Sequence, residues 1–168
     1  AQVVALTTEQ AGALTSDQVA ALTTGQVVAL ETADLTQLGT AQIQAMVASA
    51  VSQLTTGQVA ALKTEQFSAL SSSQIRALNT SQVVAMTTAQ AAALSTTQVN
   101  AMTAEQFTAM ETADFKQLGT AQISAISASA VPGLTTTQIS GLSTDQIAVL
   151  SSTQVLAMST AQISSFVV

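Results

Sequence analysis

Apolar residues recur in this chain with a period of eight. Starting at Leu6, twenty full octads run to Ser165, among them LTTEQAGA, LTSDQVAA, LSSSQIRA and LSTTQVNA. Octad position 1 is Leu, Met or Ile in all twenty, position 6 is Val, Ile, Leu, Phe or Ala in all twenty, and position 5 is Gln in sixteen. A straight α-helix advances 100° per residue, so eight residues overshoot two turns by about 80°. An apolar stripe would then circle the helix within about five octads, and no single face could be buried. A straight strand fails as well, because positions 1 and 6 differ by an odd number and point to opposite faces. The chain therefore bends once per octad.

The bend is written in the polar positions. Ser or Thr at position 2 and Gln at position 5 form the capping box S/T-x-x-E/Q, with the hydroxyl accepting from the N3 amide and the Gln reaching back to the cap amide. Thr15 with Gln18, Thr23 with Gln26, and Ser71 with Gln74 are examples. The apolar residue just before the cap and the one at N4 make a hydrophobic staple, which pairs Leu14 with Val19, Leu22 with Val27 and Leu70 with Ile75. Glu9, Asp17, Glu65, Glu105 and Asp145 all stand at position 4, in the first turn, where the helix dipole favours carboxylates. Helices of about six residues do not survive alone, so stability has to come from stacking. Positions 1, 6 and 8 are the expected core. The predicted fold is an all-α solenoid of very short capped helices, one per octad, in which each unit contacts only its neighbours. The alternative is a β-solenoid. Gln and Ala are poor strand formers, Gly is scarce at the corners, and the capping box would be coincidence. Disorder conflicts with the regular apolar positions, and the period excludes a long regular coiled coil.

A second period overlies the first. Residues 31–58, ETADLTQLGTAQIQAMVASAVSQLTTGQ, match 111–138, ETADFKQLGTAQISAISASAVPGLTTTQ, 80 positions later. The four octads without Gln at position 5, where Asp34, Ala50, Asp114 and Ala130 stand instead, fall inside these blocks. Residues 1–168 thus read as one repeat array with a ten-octad super-repeat. AQVVALTTEQ is already repeat sequence with no signal peptide in it, and the chain starts and stops mid-pattern, so it reads as a piece of something longer.

Composition narrows the chemistry. Of 168 residues, nine are acidic and three basic, and there is no His, Cys, Trp or Tyr. No imidazole base, thiolate nucleophile or ordinary zinc site is available. Three cations cannot neutralise a phosphate backbone, so no nucleic-acid partner is expected. No apolar run approaches the roughly 20 residues of a membrane span. Neither an enzyme nor a cofactor is expected. The paired carboxylates Glu31/Asp34 and Glu111/Asp114 are the weak metal candidates. Calcium wants about six to eight oxygens and nothing else nearby is acidic, so these residues read as replacements for Thr and Gln at a cap. Thr and Ser columns at positions 2 and 3 could present hydroxyls to ice or a glycan, although position 2 is already used in capping. Phe67, Phe107 and Phe115 stand at the core position 6. Lys63, Arg76 and Lys116 are scattered surface residues. Gly39 and Gly119 take the cap position, which Gly tolerates, and Pro132 marks a place whose amide is not needed.

Runs of the form LTTxQVxAL resemble the short tandem repeats of very large secreted or surface proteins of Gram-negative bacteria, often described as adhesin-like or haemagglutinin-like. The resemblance extends from Gln2 to about Ser165. It implies export, an extended rod and a fibre, stalk or spacer role at the bacterial surface, and it carries no catalytic signature. Self-association through the array ends, around Val3 and Val4 and around Phe166, Val167 and Val168, is expected. A surface or matrix ligand bound through the hydroxyl columns is the alternative.

Overall fold

The computed structural model describes residues 6–166. Among them are nineteen α-helices of four to six residues, from Thr8–Gly12 to Thr160–Ser164, one 3-10 turn at Val131–Gly133, and no strand. No helix among the described residues is long and apolar enough to cross a membrane. The fold is the all-α solenoid.

Each helix begins at octad position 3, behind an extended cap residue such as Thr15 (φ -76, ψ 160). The preceding residue at position 1 is extended too, as Leu78 (φ -61, ψ 132) is before Asn79 (φ -80, ψ 168). Two extended residues between helices make the corner. No described residue has positive φ, so the corner needs no glycine.

The corners wind the helices into a superhelix. Ser16–Ala20 packs on Thr40–Ala45, Ala48–Val51 on Ser72–Ala77, and Ser72–Ala77 on Thr96–Ala101, each three units further along. Hydrogen bonds between successive turns span 25 residues (Asn100 to Ala125) to 31 (Gln82 to Val51). One superhelical turn therefore holds between three and four octads. The accessible surface is 7740 Å², close to the roughly 7,700 Å² of a compact monomer of this mass, so the coil is wound tightly around a filled centre.

That centre is built from positions 1, 5 and 6. Leu70 and Ile75 are buried, as are Val19, Val27, Phe67, Phe107 and Phe115. The rings of Phe107 and Phe115 meet edge to face at 6.4 Å. Two expectations need correction. The position-8 alanines, such as Ala61, Ala77 and Ala85, are only half-buried, while the position-5 glutamines from Gln42 onward are buried. Leu14 and Leu22 are half-buried and pack on the core's edge, because no earlier described turn covers them. Val3, Val4, Val167 and Val168 lie outside the described residues. Phe166 is half-buried against the core.

The octad Ile126–Gly133 departs from the pattern for a local reason. In the matching first block, Ser52 donates its backbone N–H to Ala48 at 3.0 Å and closes an α-turn. Pro132 stands in that place and has no N–H, so the chain tightens to 3-10. Its end then sits directly on the turn below: Thr108 Oγ1 donates to the Gly133 carbonyl at 2.7 Å, and a Cβ on Gly133 would lie 2.0 Å from the Ala104 oxygen.

Candidate functional site

The capping boxes are local and complete in thirteen units. Thr15 Oγ1 accepts from the Gln18 amide at 3.2 Å while Gln18 Oε1 accepts from the Thr15 amide at 2.8 Å. Thr23 with Gln26 and Ser71 with Gln74 repeat this geometry. Gly39, Lys63 and Gly119 make half a box, since only their backbone N–H takes part.

The buried glutamine has a second task. Its Oε1 serves its own helix, and its Nε2 points at the turn below. Gln74 Nε2 donates to the carbonyls of Met46 at 2.7 Å and Ile43 at 2.9 Å. Gln82 serves Leu54 and Val51, Gln90 serves Leu62 and Val59, Gln106 serves Leu78 and Ile75, and Gln138 serves Met110 and Phe107. Every column glutamine from Gln42 onward has an acceptor 28 residues earlier, at the corner, and most have a second one 31 residues earlier, near the end of the helix before that corner. A helix leaves its last carbonyls without partners, and burial makes an unmet carbonyl costly. One side chain therefore caps the start of its own helix and the end of a helix one turn away. The octad pattern alone points only to the first task. A sequence signal did exist: glutamate would fill the local cap role as well, yet Gln holds the column in sixteen octads. Of these two side chains, only the amide donates as well as accepts.

The four exceptional octads interrupt this column. Ala50 and Ala130 are buried at 1% exposure with no side-chain amide. Asp34 and Asp114 are buried at 4% and 2%, and an ionised carboxylate cannot donate to a carbonyl. Asp114 Oδ2 is fully enclosed without a hydrogen-bond partner. Burial, and secondarily repulsion from Glu111, push its pKa above the usual carboxylate value. Glu31 and Glu111 occupy the cap positions, but neither side chain makes a cap hydrogen bond. The cap role assigned to these pairs is thus positional only. No three acidic, His or Cys side chains gather among the described residues.

Hydroxyls at position 2 are largely consumed in the boxes, and Arg76, Lys63 and Lys116 are exposed. Shallow grooves run between turns. One of them, about 410 Å³ and mainly polar, lies beside Arg76, Asn100, Glu105 and Ser129.

Short capped helices, wound at three to four units per turn and tied turn to turn by one repeated side chain, define a helical solenoid repeat protein. The ALTTAQ repeat matches residues 1–24, 27–64, 59–96 and 107–144, most of the chain, and the protein belongs to that repeat family. No curated protein matches the chain.

Proposed function

We propose that this chain is a non-enzymatic structural segment of an extracellular or cell-surface bacterial fibre, a stalk or spacer that sets length and associates with itself end to end. The observation that carries this reading is the glutamine column. The corner carbonyl 28 residues earlier is bound by every column glutamine from Gln42 onward, so each added octad lengthens the coil without changing the joint. Export rests on the likeness of LTTxQVxAL to the repeats of large bacterial surface proteins, and cell fractionation tests it.

Length is the measurable property. Packed helices lie about 8–10 Å apart, so three to four octads per turn give about 3 Å per octad. Inserting one further 80-residue block into the chain should lengthen its maximum dimension in small-angle scattering by roughly 25–30 Å at constant cross-section. A growth in cross-section instead of length would overturn the spacer reading.

A further inference from the structure

Asp114 stands where the column has its glutamine, deep inside the coil, and its Oδ2 is the one enclosed side-chain oxygen without a partner among the described residues. A glutamine in this place donates to the corner carbonyl 28 residues earlier, as Gln74 does to Met46 and Gln106 to Leu78, both at 2.7 Å. Counting back 28 and 31 residues from Asp114 gives Met86 and Val83, both buried, and no glutamine stands over them.

The elements around Asp114 bring it no positive charge. The helices packed on Thr112–Phe115 are Thr88–Ala92 and Thr136–Ser140, and neither carries a titratable or charged side chain. Its own unit holds Glu111, a like charge, and Lys116, which lies against Gly141 on another turn, where an added Cβ would come within 2.4 Å of the lysine Cε. Burial first and Glu111 second favour the neutral carboxyl. A neutral carboxyl has the property for which the column uses an amide: it accepts through one oxygen and donates through the other.

We propose that Asp114 is a proton-operated tie between turns. With a proton taken from water onto Oδ2, the carboxyl donates to the carbonyls of the Val83–Met86 corner and fastens its unit as a column glutamine does. When that O–H bond breaks and the proton returns to water, a carboxylate oxygen faces carbonyl oxygens and the joint loosens. The column is then continuous through this unit in acid and interrupted here as pH rises, whereas the unit of Ala130, two octads on, has no group that could respond.

Backbone amide hydrogen exchange of the whole chain at about pH 4 and about pH 8, corrected for each amide's intrinsic rate, tests it. The Phe115 and Leu118 amides are bonded to Glu111 and Phe115 at 2.9 and 3.1 Å, and their protection should fall about tenfold with rising pH, the worth of one buried hydrogen bond, relative to Leu78 in a glutamine unit. Asp114→Asn donates at every pH and should keep the acid level of protection throughout. Asp114→Ala, which the fold already accepts in this column at Ala50 and Ala130, should show no fall and stay below the acid level of the unaltered chain. The Asp114 carboxyl carbon, assigned in carbon NMR by its loss in Asp114→Asn, should titrate above the ordinary aspartate range. Titration within that range, a fall in Asp114→Asn equal to that of the unaltered chain, or Asp114→Ala as protected as the unaltered chain in acid overturns the proposal. So does recovery of protection at alkaline pH on adding calcium or sodium, which would give the carboxylate to a cation. None of these outcomes touches the length measurement.

Discussion

Replacing one glutamine by glutamate at two places in the array separates the local role from the turn-to-turn role. At Gln74 the change keeps the Ser71 N–H···Oε1 bond of 2.7 Å, so a pure capping residue would lose almost nothing. The structure demands a large loss. Nε2 bonds to Met46 at 2.7 Å and Ile43 at 2.9 Å disappear, and a carboxylate oxygen is pressed against two carbonyl oxygens at a site only 1% exposed. Two buried hydrogen bonds contribute about 2 kcal/mol, and leaving buried acceptors unmet adds about 1–3 more, for a total of about 3–5 kcal/mol. At Gln18 the same substitution leaves the cap bond and removes no Nε2 bond, so it should cost under about 0.5 kcal/mol, as surface substitutions do. The assay is urea unfolding followed by far-ultraviolet circular dichroism, with Gln74→Ala as a third arm at about 2–4 kcal/mol. Equal costs at the two sites, or a Gln74→Glu cost below about 1 kcal/mol, would refute the second role.

Leu70→Ala should cost about 2–5 kcal/mol by leaving a cavity, whereas Leu156→Ala, at a residue 84% exposed, should be near neutral in the same urea titration. Asp114→Gln should raise stability by about 1–2 kcal/mol by removing an unpartnered buried carboxylate. The pH dependence has a definite sign: the folded-state pKa of Asp114 is raised, so the folded state holds its proton more tightly, and this site's stability is fullest at acid pH and declines as pH rises from the ordinary Asp range through the raised value. Stability against pH for Asp114→Asn should lack that decline. Gly133→Ala should destabilise by several kcal/mol, because its Cβ would meet the Ala104 backbone at 2.0 Å. Gly25→Ala, with nothing within 4 Å, should instead stabilise by about 0.5–1 kcal/mol through helix propensity; thermal melts of the pair decide it.

What could be read from the sequence was what lies within one octad. The caps at Thr15, Thr23 and Ser71 depend on partners three residues away, so their spacing alone revealed them, and with them the all-α class. The burial of Gln74 depends on carbonyls 28 and 31 residues earlier. That distance follows from the number of octads per turn, and no pattern of period eight encodes it. The misplacement of the alanines as core has the same origin: a staple places positions 1 and 6 inside, but which further column faces inward is decided by the neighbouring turn. Leu14 and Leu22 match Leu70 in sequence and differ only in lacking a turn beneath them. The tightening at Pro132 was half legible, since a dispensable amide is visible in sequence, but the seat of Gly133 on Ala104 is not.

The interrupted column also sets how the coil responds to pulling. An octad contributes about 3 Å of rod while folded and up to about 27 Å once drawn out, so each unit that leaves the stack releases a long reserve of slack. Units seated by a glutamine resist through side-chain bonds to the turn below; those centred on Asp34, Ala50, Asp114 and Ala130 lack them. These weaker units recur at an interval of 80 residues. A fibre made of such blocks would yield under tension at regularly placed points, one after another, while the stretches between them stay coiled.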